Sequence, residues 1–223
     1  DSPNPTAKVK TYRRPNTTVQ TGSTGDFINV FGNSAVNIYT TNCQTQIANT
    51  FVVKTPGVQQ SLFVSDVVSI NTVLDFRGLA VTQANKASAV DITSRYELVN
   101  GQKDSYYDHS AIRLKPGQLP PSGPLLVLYE RFTSPDAGGF FSVDSYVNGG
   151  YPYGSIPKYV SPTTGHEYML RDCLDFRPVR ADGSTTATFF TTNNPKTPEN
   201  GSDIIMDYSY YLPRIDQVVL TRH

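Results

Sequence analysis

Val99-Asn100-Gly101-Gln102-Lys103-Asp104-Ser105-Tyr106-Tyr107-Asp108-His109, followed after a Pro/Gly hinge by Pro124-Leu125-Leu126-Val127-Leu128-Tyr129, is the stretch that decides the fold. Upstream of it, Ile92, Ser94, Tyr96 and Leu98 alternate with Asp91, Thr93, Arg95 and Glu97, the period-two pattern of a half-buried strand. Asn100-Gly101 then supplies residues that tolerate positive φ in a tight turn. Ile112 and Leu114 alternate with Arg113 and Lys115, which predicts a second strand with one wet face. Leu125 to Tyr129 is apolar on both faces and predicts a central strand covered on both sides.

The same signals recur outward along the chain. Asp66 to Phe76 reads as a strand with Val68, Ile70, Thr72, Leu74 and Phe76 on one face. Read as a helix it would align Val67, Ile70, Val73 and Leu74. The β-branched content favours the strand, because branching at Cβ crowds a helical turn and suits a pleat. Ala7 to Arg13 alternates weakly, and Val36 to Tyr39 is a short strand candidate. Phe51-Val52-Val53 is another, closed by the turn signature Thr55-Pro56-Gly57. Ile204, Met206, Tyr208 and Tyr210 alternate with polar residues, and Ile215 to Leu220 resumes as a strand after Pro213, which belongs at an edge or bend.

Two long stretches of low propensity separate these strands: Gly/Pro/Tyr-rich Phe141–Pro162 and Asn/Pro-rich Thr191–Gly201. Loops of this length in a compact domain are interaction surfaces or disordered. Tyr146, Tyr151, Tyr153 and Tyr159 favour an ordered, packed interaction loop, because rings supply burial that polar linkers lack. Leu74-Asp75-Phe76-Arg77 recurs as Leu174-Asp175-Phe176-Arg177, but the flanks do not match. The repeat therefore reads as coincidence or shared local packing, not as duplication.

With 223 residues, the chain is one large all-β domain or two small ones. The expected division is an N-terminal β segment or small β domain over 1–65 and a β-sandwich over 66–223, the whole excised from a longer polypeptide. Nineteen basic residues balance nineteen acidic ones, so no basic footprint for nucleic acid or anionic lipid is expected. No apolar run reaches the length of a membrane span. Cys43 and Cys173 are expected as reduced, small apolar residues.

The chemistry-bearing residues read as framework. Asp108, His109 and Ser110 carry the residue types of a nucleophilic triad, but neighbours on a strand point to opposite faces and cannot form the relay. His109 is expected in a turn or in solvent. His166 and His223 lack metal-ligand spacing, and Asp104 with Asp108 lacks a calcium-loop signature. Asp172, Asp175 and Glu167 are carboxylates of the kind glycoside hydrolysis needs, read here as structural. Asp104 and Asp108 are the kind that cap turns through the backbone, and Arg214 with Asp216 can pair across a strand face. Tyr106, Tyr107, Tyr210 and Tyr211 suit interfaces between domains or subunits. No metal, cofactor or catalytic residue is expected.

Several phrases occur in one order: Gly101 to Asp104, Tyr106 to Asp108, Leu125 to Tyr129, Asp144 to Tyr146, Arg171 to Pro178, and Tyr211 to Asp216. Together they resemble a family of uncharacterised domains in large structural proteins of phage tails and baseplates, known from contractile-tailed cyanophages. The similarity covers roughly Asp66 to His223. It implies a place in the phage virion, in a tail, baseplate or fibre base, with a scaffolding or attachment role and no assigned catalytic residues. The expected fold is an all-β sandwich of the immunoglobulin-like or fibronectin-like kind. The expected partners are other tail proteins and further copies of the chain. The alternative expectation is a tail-fibre adhesin whose Tyr-rich loop meets a host-surface glycan.

Overall fold

The computed structural model describes residues 6–22, 27–29, 36–48, 54–134, 139–185, 201, 203 and 205. The strands are β1 (Thr11–Arg13), β2 (Phe27–Asn29), β3 (Val36–Tyr39), β4 (Gln44–Ile47), β5 (Gln59–Ser65), β6 (Val67–Asp75), β7 (Val90–Asp91), β8 (Tyr96–Val99), β9 (His109–Leu114), β10 (Leu125–Thr133), β11 (Lys158–Val160) and β12 (Glu167–Met169). One sheet runs β2-β3-β4-β10-β6-β7, with β1 also paired to β10; a second runs β5-β9-β8. All of these pairings are antiparallel. The two sheets face each other across a core that includes Ile38, Ile47, Leu62, Val73, Ile112, Leu125 and Val127. The chain is an all-β sandwich, as its alternation predicts.

β10 is the central strand. It pairs with β6 along one edge, and with β4 and then β1 along the other. Leu125, Val127 and Tyr129 enter the core between the sheets. Leu126 and Leu128, on the opposite face, pack with Val19, Leu74 and Phe76. Phe132, further along that same face, joins Tyr146, Ile156, Tyr159 and Leu170. A strand buried on both faces is what an uninterrupted apolar run encodes.

β6 explains the double reading of its sequence. Pairing with β10 steps from Leu128↔Thr72 to Tyr129↔Ile70, and from Glu130↔Ser69 to Arg131↔Val67. Asn71 and Val68 are therefore the extra residues of two bulges, and each bulge reverses which face the following residues occupy. Val67, Ile70 and Val73 consequently share the central core, while Leu74 and Phe76 fill the second cluster and Val68 lies against the third. The strand assignment holds, but the even-numbered face expected from strict alternation does not. Two bulges give a strand the three-residue spacing of a helix.

Other expectations need correction. Asp91 to Leu98 is not continuous: a 3-10 turn at Thr93–Arg95 separates β7 from β8, with Thr93 N and Oγ1 both donating to Asp91 Oδ1. β9 has little wet face, since only Arg113 within it is not buried. The sheets also run across residue 65. β1 and β4 pair with β10, and β5 pairs with β9, so strands on both sides of that point share sheets. Thr55-Pro56-Gly57 does turn, with Gly57 at φ +80°. The candidates at 51–53, 204–210 and 215–220, and the loop over 191–201, lie outside the described residues, apart from residues 201 and 205.

Tyr-rich 141–162 is ordered by short elements. Helix α1 (Val143–Val147) starts at a capping box in which Ser142 N donates to Ser145 Oγ at 2.9 Å. A 3-10 turn (Tyr153–Ser155) follows, and β11 pairs with β12. This segment lies over Phe132 on the outer face of the large sheet.

Candidate functional site

The sequence landmarks converge on one buried, charged and aromatic cluster. Gly101, at φ +75°, turns the chain out of β8, and a Cβ there would come within 2.4 Å of the His109 carbonyl oxygen. The connection then returns through Tyr107, which is fully buried. Tyr107 N donates to Pro178 O, and Arg180 N donates to Tyr107 O. The Tyr-Tyr-Asp phrase is thereby stitched to the chain just after the Arg171–Pro178 phrase. Phe141 and Asp175 exchange a second backbone pair at 2.7 and 2.8 Å.

Side chains complete the cluster. Tyr107 OH donates to Asp175 Oδ2 at 2.5 Å. Arg177 clamps Asp175 through Nε to Oδ1 (2.9 Å) and Nη2 to Oδ2 (2.8 Å), and also donates to Tyr107 OH and to Lys103 O. Its guanidinium lies 4.4 Å from the Tyr107 ring centroid and 4.0 Å from that of Tyr159. On the other side of Tyr107, Lys10 Nζ donates to Asp66 Oδ2 at 2.6 Å and to Tyr107 OH at 3.2 Å. Burial alone would push the Asp175 carboxyl up, but the Arg177 guanidinium and the Tyr107 hydroxyl reverse this and hold it below the usual range. Burial, with Asp175 beside it, holds the Tyr107 hydroxyl protonated far above its usual range.

The repeated tetrapeptide is shared local packing. Arg77 N donates to Asp75 Oδ1 at 2.9 Å, and Arg177 N donates to Asp175 Oδ1 at 3.0 Å. Both aspartates hold their backbone two residues on. The remaining donors diverge: Asp75 accepts from Ser122 N, Ser122 Oγ and Gly123 N, whereas Asp175 accepts from the tyrosine and the guanidinium.

A groove of about 510 Å³ opens beside the cluster, lined among others by Asp104, Tyr159, Tyr168, Leu174 and Arg177. Tyr159 and Tyr168 stack with centroids 6.1 Å apart and planes at 21°. Tyr159 OH donates to Asp104 Oδ1 at 2.5 Å, and burial together with that carboxylate pushes the phenol up to about 12. Of the four loop tyrosines named from sequence, Tyr146 and Tyr159 are buried and Tyr151 packs between Tyr12 and Phe132. Tyr153 is 53 % exposed.

The other acidic and histidine candidates are placed elsewhere. Asp108 does bind backbone, its Oδ1 accepting from His109 N at 2.8 Å as well as from Arg180 Nη1 at 2.8 Å, whereas Asp104 Oδ1 accepts from Tyr159 OH. His109 is neither in a turn nor in solvent. It is buried on β9 with Nε2 2.7 Å from Ala181 O, and burial pushes its pKa down. Ser110 Oγ donates to Asn100 O, so Asp108, His109 and Ser110 each serve a different partner. Glu167 pairs with Lys158, and Asp172 lies 3.7 Å from Arg171. Neither Cys43 nor Cys173 is in a disulfide. Among the described residues, no group of three His, Cys, Asp or Glu could hold a metal ion, and no helix is long and apolar enough to cross a membrane.

Sequence reasoning missed Lys10 and Asp66. In Ala7-Lys8-Val9-Lys10, alternation would place Val9 inward, yet Val9 is exposed and Lys10 is buried. Asp66 sits between two apolar strand runs, and that placement was the one available signal. No known protein family matches the chain, and no curated protein or solved structure does either.

Proposed function

We propose that this chain is a non-catalytic structural domain of a phage virion, a tail, baseplate or tail-fibre component that serves as a β-sandwich scaffold. One observation carries the reading. The phrases Gly101–Asp104, Tyr106–Asp108 and Arg171–Pro178, which resemble those of phage tail proteins, meet in a single cluster where Arg177 and Tyr107 hold Asp175, Arg177 reaches Lys103 O, and Arg180 holds Asp108. Asp175, Arg177 and Tyr107 bind one another, and Arg177 and Tyr107 also bind Lys103 O and Lys10, a closed set of contacts that suits a framework which must keep its shape. Partners in this reading are neighbouring tail proteins and copies of the same chain. Exposed Tyr153, Val160, Tyr168, Met169 and Leu174 provide apolar surface for them.

Mass spectrometry and cryo-EM of purified phage particles test this reading. It expects the chain at stoichiometric abundance and at a defined tail position. Its absence from purified particles overturns the proposal.

A second reading has a specific observation behind it. The groove beside exposed Tyr168 combines a ring face with Asp104, Ser161 and Thr164, a pairing of stacking surface and hydroxyl acceptors that suits a host-surface glycan. Saturable binding on a glycan array, abolished by Tyr168→Ala, would favour the adhesin; no binding leaves the scaffold reading in place.

A further inference from the structure

Lys10 and Asp66 are held as if for reaction. Their side chains are 1 % and 9 % exposed, with Nζ 2.6 Å from Oδ2. Attack on a carboxyl carbon needs an approach of about 3–3.5 Å, and the Nζ–Oδ2 contact holds the amine against that carboxyl group. Each backbone is held independently of the pair. Lys10 N donates to Ser145 O at 2.8 Å, and the Lys10 carbonyl approaches Gly149 so closely that a Cβ there would lie 1.9 Å away. Asp66 takes φ +59°, and its carbonyl accepts from Phe132 N at 3.0 Å. A non-glycine residue in that region is a conformation the surroundings impose.

Four rings wall the amine, with centroids at 4.3 Å (Tyr107), 4.4 Å (Phe141), 5.1 Å (Tyr146) and 5.6 Å (Phe132). Such an enclosure keeps water from the amine, while Asp66 borders a groove of about 200 Å³ shared with Arg131 and Asp182, by which the released water can leave. Condensation runs through the neutral amine and the carboxylic acid, the forms that transfer of one proton from Nζ to Oδ2 across the 2.6 Å contact gives. Tyr107 OH, 3.2 Å from the amine, hydrogen-bonds onward to Asp175.

We propose that Lys10 and Asp66 condense into an intramolecular amide crosslink. The neutral Nζ lone pair attacks Cγ of the protonated Asp66 carboxyl and a tetrahedral intermediate forms. Nζ loses a proton to the Tyr107–Asp175 pair, which returns it to the departing hydroxyl. The C–O bond breaks, one water leaves, and a neutral secondary amide joins Nζ to Cγ. No oxidant, metal or further reactant is consumed. Asp175 acts through Tyr107 and is a positioning residue for the proton. The product ties the segment entering β1 to the corner between β5 and β6, across 56 residues of sequence. It replaces a buried ion pair by a group without net charge.

Intact-mass spectrometry of the purified full chain tests this directly. The expected mass is one water below that calculated from the sequence, with a branched tryptic peptide joining Val9–Arg13 to Thr55–Arg77. The full calculated mass, with Val9–Lys10 and Thr55–Arg77 recovered as linear peptides, overturns the proposal. So does a lost water that maps elsewhere. Lys10→Arg and Asp66→Ala are expected at their full calculated masses. Asp175→Asn is expected to keep the circular dichroism spectrum of the parent while its crosslinked fraction falls several-fold. An unchanged fraction and rate in a folded Asp175→Asn chain overturns the relay. Because the first measurement uses the unmodified chain, a variant that fails to fold leaves the test intact.

Discussion

Tyr107 and Asp175 stand 68 residues apart in sequence, and the tyrosine hydroxyl donates to the carboxylate at 2.5 Å in the interior. That bond joins the β8–β9 connection to the segment after β12. Arg177, clamped on the same carboxylate, closes the triangle.

The clamp makes a quantitative contrast. Arg177→Met leaves Asp175 charged and buried without its cation, and breaking such a pair costs about 3–5 kcal/mol. Arg113→Met removes a half-exposed pair with Glu97, worth at most about 1 kcal/mol. Urea unfolding of the two variants should separate them by at least about 2 kcal/mol; equal losses would show that Asp175 reaches water.

Gly101 and Gly117 have nearly the same positive φ, +75° and +76°, but only Gly101 faces backbone at contact distance. Gly117→Ala should cost about 1 kcal/mol, from the backbone conformation alone. Gly101→Ala adds a clash with the His109 and Asp108 carbonyls and should cost at least about twice as much. Thermal melts of both variants decide it.

His109 predicts a pH dependence with a defined sign. Burial lowers its folded-state pKa below the usual 6.5. The unfolded chain therefore takes up the proton first as pH falls. Stability contributed by the neutral ring is complete above about 6.5 and is lost as pH drops from there toward the folded pKa, with a slope of at most about 1.4 kcal/mol per pH unit. His109→Gln, which keeps a donor for Ala181 O, should flatten that part of the stability–pH curve. A curve identical to the parent's would place the titration on another group.

Asp75 receives three donors from Ser122 and Gly123 and one from Arg77 N. Asp75→Ala strands three of these donors as N–H groups, those of Arg77, Ser122 and the buried Gly123, and a buried N–H left unpaired costs about 1–3 kcal/mol. A total loss of at least about 2 kcal/mol is expected in urea unfolding. Hydrogen exchange at Ser122 and Gly123 should accelerate in the same variant.

The β-strands of the core were legible because burial on one or both faces writes itself into the order of residues. Leu125 to Tyr129 reads as a doubly covered strand and is one. Asn100-Gly101 reads as a positive-φ turn and is one at Gly101. Local rules failed where the backbone departs from regularity. The bulges at Asn71 and Val68 shift the face of β6, and the Thr93–Arg95 turn splits a run that alternates cleanly on paper. A bulge changes register against a partner strand, and the partner is absent from the local pattern.

What the order of residues determined by itself was therefore the class of fold and the strands around β8, β9 and β10. Only the tertiary structure decided which charges meet. Lys10, Asp66, Tyr107, Asp175 and Arg177 come from four separate stretches of chain, and hydrogen bonds between side chains depend on distances that sequence spacing does not contain. The inward turn of Lys10 in place of Val9 is the sharpest instance. A lysine is buried where an anion and a ring of aromatic faces receive it, and those are assembled only when the sandwich closes.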